Sequence, residues 1–217
     1  MSIESSMVSY YAERAQEYER IYHKLERQDD LRRLREFVER TFADAHVFEV
    51  ACGTGYWTEI VAHTVASVVA TDINEEVLAV ARSKTMDTGK VEFRREDAYK
   101  LPVLPRRFDA GLAAFWWSHI PQVRIPGFLA GFHRVLVPGA QVVFIDNVYV
   151  EGSSTPVSRT DAHGDTYQTR RLDDGSKHEV LKNFPTEHAL RAAVDGLATD
   201  AQVEFLKYYW VLSYCLL

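Results

Sequence analysis

The sequence predicts an α/β fold: a doubly wound, mostly parallel seven-stranded sheet with helices on both faces. An N-terminal helical cap precedes it, and a hairpin-like insert follows the fifth strand. Two observations predict this. Short apolar runs alternate with helix-patterned segments from residue 46 to 146, and a turn with two glycines joins the first such run to the first helix. A third sets the scale. A chain of 217 residues that is 47% hydrophobic and 26% charged can fill one medium-sized core.

The elements follow in order. Residues 1–42 form the cap. Residues 11–25 are rich in helix formers, and Asp29 or Asp30 can cap a second helix in which Leu31, Leu34, Val38 and Phe42 recur at helical spacing. The core spans 43–150. Its strands are 46–50, 67–71, 90–94, 108–115 and 141–146. Its helices are 56–64, 74–83 with Asn74 as N-cap, and 124–136, with Pro138-Gly139 turning into the fifth strand. Residues 151–183 break the alternation and read as a lid, with 166–172 and 176–181 pairing around Asp173-Asp174-Gly175. A helix at 186–194 and two antiparallel strands, 202–207 and 209–216, complete a single domain. The apolar end, 208–217, is expected as a buried edge strand or a dimer surface.

In such sheets ligands bind beyond the carboxyl ends of the strands. Three features stand there. Glu49-Val50-Ala51-Cys52-Gly53-Thr54-Gly55 runs from a strand through a glycine turn into a helix, where missing Cβ atoms let a ligand approach. Asp72 ends the second strand, as an acid that bonds ribose hydroxyls does. Asp97 follows the third and can accept from an adenine amino group. Threonine at position 58 replaces the third glycine of a dinucleotide fingerprint, and no Walker sequence is present. A nucleoside without a pyrophosphate fits best.

Glu49-x-Ala51-x-Gly53-x-Gly55, Asp72, Asp97-Ala98, Arg107-Phe108-Asp109-Ala110 and the stretch from Phe132 to Ala140 resemble the motifs of class I S-adenosylmethionine-dependent methyltransferases. The resemblance covers roughly 47–146 and implies roles. Ala51, Gly53, Thr54 and Gly55 would cradle the methionine end, with Glu49 ordering the loop. Asp72 would hold the ribose and Ile73 pack on adenine. Asp97 and Ala98 would bind adenine polar atoms, and Ala114 and Phe115 would line the sulfonium. The family often has glycine where Ala51 stands. Tyr11 and Tyr18, in a helix that closes over the cofactor in many members, are candidate contacts.

On the acceptor side, Trp116 and Trp117 follow the fourth strand and can wall an acceptor, and His119 is the candidate general base. Asp146-Asn147-Val148 resembles the metal-binding segment of catechol-type O-methyltransferases. Their further aspartate at the fourth-strand end is replaced here by Ala114, Phe115 and Trp116, so no metal is expected. Tyr149, Tyr167, Arg170 and Arg171 are candidates for binding the acceptor. An arginine can clamp a carboxylate or phosphate, and neighbours on a hairpin face opposite sides, so at most one arginine points inward.

The net charge is −6, and the basic residues of 27–40 are interleaved with Asp29, Asp30, Glu36 and Glu39. That pattern is a solvated helix face, not a phosphate track, so nucleic acid is not expected as a partner. No apolar run is long enough to span a bilayer, 1–7 lacks the form of a secretory leader, and two cysteines suit a reducing cytoplasm. The expected activity is methyl transfer to a small molecule by a monomer or homodimer. The alternatives are a methyltransferase acting on protein or nucleic acid, and a non-catalytic module that binds the cofactor.

Overall fold

The computed structural model describes residues 3–14, 18–104 and 108–217, with the side chains at 3–6, 8 and 18 excepted. Helix α1 spans Ile3–Glu13 and α2 Gln28–Thr41. Between them the chain makes two 3-10 segments, Tyr18–His23 and Leu25–Arg27, where the sequence had suggested continuous helix. Leu31, Leu34, Val38 and Phe42 are buried, as their spacing predicts. The cap differs: Asp29 and Asp30 lie in the first turn of α2, and Asp30 Oδ2 accepts from the backbone N–H of Tyr208 at 2.8 Å.

The alternating core then runs β1 His46–Val50, α3 Tyr56–Val61, β2 Ser67–Asp72, α4 Glu75–Ser83, β3 Val91–Arg95, β4 Phe108–Ala114, α5 Ile125–His133 and β5 Leu136–Asn147. Asn74 holds the N-cap position of α4 without a side-chain bond. Pro138-Gly139 lies inside β5, where the register against β4 shifts, instead of before the strand. The insert holds β6 Arg159–Thr160, β7 Thr166–Arg171 and β8 Lys177–Leu181, a separate three-stranded sheet ordered β6-β7-β8. Helix α6, Glu187–Val194, starts at Thr186, whose hydroxyl accepts from Ala189 N–H at 3.2 Å. Strands β9, Ala198–Phe205, and β10, Tyr209–Leu216, complete the main sheet.

That sheet has the order β3-β2-β1-β4-β5-β10-β9. Five strands are parallel, and β10 is antiparallel to both β5 and β9. The apolar C-terminal strand is therefore interior. The edge is β9, which exposes Asp200 and Glu204. Residues alternate across the sheet. Ala110, Leu112, Val143, Ile145 and Val211 share one cluster with α2 and α3, while Phe48, Ala113, Val142, Phe144 and Leu212 join α5 and α6 on the other face. Met7 and Tyr10 of α1 bury against Tyr167, Leu172, Val180 and Leu181, so α1 packs on the insert instead of on the main sheet. Among the described residues no helix is long and apolar enough to cross a membrane.

The chain winds outward from β1 through β2 to β3, then returns to β4 and β5 on the other side. The strand ends of β1 and β4 therefore flank the point where the order reverses, the place such sheets offer to a ligand.

Candidate active site

A cavity lies at that point. Ala51, Gly53, Asp72, Ile73, Asp97, Ala98, Ala114, Phe115, Trp116 and His119, all singled out from the sequence, line it together with Tyr11. Met7, Asn74, Val77, Glu96 and Tyr99 line it as well; each sits within a few residues of a motif or on α1, and none carries a motif signal of its own.

The glycine loop is held by local bonds. Cys52 N–H donates to Thr71 O at 2.9 Å and Gly55 N–H to Cys52 O at 3.0 Å. Asp72 ties two loops together: Oδ2 accepts from Gly53 N–H and Oδ1 from Asn74 N–H, both at 2.9 Å. Burial pushes its pKa up, against the pull of these backbone bonds. Asp97 Oδ1 accepts from Tyr99 N–H at 2.9 Å, which orders the next loop in the same way. Ala51 has φ +54°, a left-handed conformation that explains why glycine suits this position and that costs alanine roughly 1 kcal/mol. Gly55 has φ +74°, and a Cβ there would meet Ala81 Cβ at 3.0 Å.

Glu49, Thr54 and Gly55 do not line the cavity; they lie behind it. Glu49 is 1% exposed and accepts from Thr58 Oγ1 at 2.6 Å; burial raises its pKa to about 8. Thr54 is buried and donates to Glu19 Oε1 at 2.8 Å, which pins the N-terminal segment to the loop. Tyr22 reinforces that link by stacking on Tyr56 with centroids 3.6 Å apart. The side chain of Tyr18, and Arg107 of the fourth-strand motif, lie outside the described residues. Asp109 of that motif accepts from His46 N–H at 2.6 Å and so aligns β4 with β1.

A second cavity meets the first. Tyr11, Phe115 and His119 line both. Arg170 and Arg171 both line the second, with Arg170 half-buried and Arg171 exposed, so neighbouring arginines reach one cavity where at most one was expected to point inward. Three residues expected to bind the acceptor line neither cavity. Trp117, 2% exposed, points into the core and packs edge-on against Phe144 and Trp210. Tyr167 is buried within the insert, where its hydroxyl donates to Asp161 at 2.9 Å. Tyr149 is 39% exposed and stands against Phe184. The solvated face expected of 27–40 also begins one residue later than foreseen, because Arg27 is buried and lines the second cavity.

His119 is 4% exposed and bonded at both nitrogens. Nδ1 lies 2.6 Å from the Leu181 carbonyl and must donate to it, so Nε2 accepts from the Tyr11 hydroxyl at 2.8 Å. Burial first, then the Lys182 and Arg170 charges, hold its pKa well below the usual histidine range. Burial drives the Tyr11 phenol up to about 12. Asp146, compared above with a metal ligand, is fully buried and committed elsewhere: it pairs with Lys182 Nζ at 2.8 Å and accepts from Ser118 N–H at 2.9 Å. Burial alone would raise its pKa, but the Lys182 ammonium and these bonds hold it below the usual carboxylate value. Asn147 instead accepts from Arg27 at 3.3 Å.

Two features fit a nucleoside with an amino-acid tail in the first cavity. A Cβ built on Gly53 would meet nothing within 4 Å, so the loop leaves open space in front of it. Trp116 Nε1 is buried with no hydrogen-bond partner among the described residues, an N–H left for a ligand.

Comparison with known proteins agrees. Residues 47–139 match a methyltransferase domain family. The chain is 34% identical over 110 residues to the ubiquinone/menaquinone biosynthesis C-methyltransferase of Pseudomonas fluorescens, covering 48% of this chain and 42% of that protein. It is 29% identical over 150 residues to an O-methyltransferase of Pyrenophora dematioidea, covering 67% and 54%. It thus spans about half the length of these curated relatives. Among solved structures, a DhpI–SAM–HEP complex is 27% identical over 99% of both chains with a TM-score of 0.77. The PH0226 protein of Pyrococcus horikoshii, 18% identical over 93% of this chain and 99% of its own, shares the fold with a TM-score of 0.73. The chain thus has the strand order and the glycine turn at the reversal point, matches a methyltransferase domain over 47–139, and is similar over nearly its whole length to a protein solved with S-adenosylmethionine.

Proposed function

We propose that the protein transfers a methyl group from S-adenosylmethionine to a small molecule held in the second cavity. The observation that carries this reading is the junction: Tyr11, Phe115 and His119 bound both cavities, so a donor in one and an acceptor in the other meet there. That the first of the curated relatives is named for C-methylation in quinone biosynthesis supports a small acceptor. The acidic balance of the chain supports a partner other than nucleic acid. Two free thiols, Cys52 and Cys215, support a reducing cytoplasm; the chain acts as a monomer or homodimer.

In the first cavity, Asp72 would face the ribose, Asp97, Ala98 and Ile73 the adenine, and the Ala51–Gly53 turn the methionine end. The sulfonium supplies an already activated methyl group. What the chain adds is alignment and exclusion of water, to which Phe115, 6% exposed at φ +59°, and half-buried Trp116 contribute. Metal ligands form no part of this reading.

His119 serves here as a positioning residue. Its depressed pKa keeps it neutral at pH 7, and its one accepting nitrogen already holds Tyr11. In this reading the acceptor brings a nucleophilic atom without a proton to lose, so His119 is not called on as a base. Incubation with isotopically labelled S-adenosylmethionine and a metabolite extract, read by mass spectrometry, tests the activity; absence of any product heavier by one methyl group counts against it. His119→Ala is expected to lower turnover about tenfold without moving the pH profile. Loss of a titration limb would restore the base role.

A further inference from the structure

The second cavity has a charge opposite to that of the chain. The protein carries −6 overall, yet seven cationic side chains line this cavity against one carboxylate, that of Asp173. Among these, Arg20 pairs with Asp173 at 2.7 Å and Lys182 with Asp146 at 2.8 Å.

Arg27 is built differently. It is 7% exposed and sits over the rings of Tyr208 and Tyr209. Its Nη1 donates to Asn147 Oδ1 at 3.3 Å and its Nη2 to Ser153 Oγ at 3.0 Å, both neutral groups. Its Nε is buried with no hydrogen-bond partner, and no carboxylate pairs with it among the described residues. Burying a cation without an anion is costly unless a ligand brings one. Arg170, on β7 of the insert, is half-buried and donates to Gln168 Oε1 at 2.9 Å and to the Tyr11 hydroxyl at 3.5 Å. Through Tyr11 it reaches the junction between the two cavities.

We infer that the acceptor is a small anionic metabolite whose oxyanion, of carboxylate or phosphoryl type, seats against Arg27 and Arg170. The inference rests on the methyl-transfer reading, since only that reading makes the second cavity an acceptor site. Planar guanidinium forks match two oxygens of such a group, and burial strengthens each bond. A neutral acceptor would leave Arg27 as it stands, desolvated and without a counter-charge. The same positive potential that disfavours protonation of His119 favours an anion beside it.

The test uses the full-length protein saturated with S-adenosylhomocysteine and titrated calorimetrically with inorganic phosphate and, separately, acetate. Binding of either anion is expected, and the tighter of the two assigns the oxyanion type. Arg170→Met is expected to weaken that binding about tenfold or more while leaving S-adenosylhomocysteine affinity unchanged. Arg27→Met is expected to do the same. Because Arg27 is buried, Arg27→Lys keeps the charge while removing the fork, and is expected to fall between wild type and Arg27→Met. Arg33→Met removes an exposed arginine paired with Glu204 and serves as the control for net charge.

Failure of both anions to bind while S-adenosylhomocysteine still binds overturns the inference and leaves the methyl-transfer reading standing. Weakening by Arg33→Met equal to that by Arg170→Met also overturns it, since bulk charge alone would then account for binding. Loss of S-adenosylhomocysteine binding by the wild-type protein refutes the methyl-transfer reading itself.

Discussion

The two cavities share three residues and differ in almost everything else. The first is mostly apolar and built by the sheet, from the ends of β1, β2, β3 and β4, with α1 closing one side. The second is polar and cationic, and its walls come from α1, the 3-10 segments, the end of β5 and the insert. A cavity made by strand ends inherits the rigidity of the ladder. One made by separate segments depends on whatever pins those segments together. Here the pins include the Asp146–Lys182 pair between β5 and the end of β8, Arg27 with Asn147 and Ser153, and Thr54 with Glu19.

The largest expected effect breaks the second cavity and spares the first. Lys182→Met leaves Asp146 buried without its counter-charge and should cost about 3–5 kcal/mol in a urea melt. Asp146→Leu combined with Lys182→Met should recover most of that loss. A small loss for the single variant would mean that the pair does not anchor the insert.

The next effect runs the other way. Asp72→Ala frees the Gly53 and Asn74 N–H groups, each now held at 2.9 Å by its carboxylate. S-adenosylhomocysteine affinity should fall by roughly 2–3 kcal/mol, about a hundredfold, in direct titration. Phosphate binding in the second cavity should hardly change. A parallel loss of both would deny that the two sites are built independently.

The smallest effect probes the ground beneath the glycine loop. Unfolded, Glu49 loses its proton near its ordinary value of 4.5; folded, it keeps the proton up to about 8. The unfolded chain therefore binds fewer protons between these values, and stability falls as pH rises. Glu49→Gln cannot lose a proton. It should gain on wild type by about 1 kcal/mol per pH unit between about pH 5.5 and 7.5, as followed by thermal melts of the ligand-free protein. A constant gap across that range would place the Glu49 pKa near its ordinary value.

The contrast also governs what could be read from the sequence. Strand β1 and strand β10 appear where apolar patterning put them, and Gly53, Asp72 and Asp97 line one cavity because strand-end motifs are local: a strand, a turn and a side chain a few residues on. The second cavity gave no such signal. Arg27 reads as one charge among many in a basic helix, and only the fold reveals that Tyr208, Tyr209, Asn147 and Ser153 surround it. Trp117 and Tyr167 misled for the converse reason. An aromatic residue beside a site motif, as Trp117 is, or within a lid, as Tyr167 is, reads the same whether it faces ligand or core, and both are buried. The N-terminal segment bends into 3-10 turns because its ties to Thr54 and Tyr56 lie outside its own sequence. Helix propensity cannot sense these ties.

One feature joins the two regions. Helix α1 lines the first cavity through Met7 and Tyr11 and the second through Tyr10 and Tyr11. Whatever orders this helix for one ligand has already met that entropic cost for the other. Where one ligand does order α1 for the other, linkage makes the effect reciprocal and equal in factor. Variants at Tyr11, which lines both cavities, are expected to shift both affinities at once.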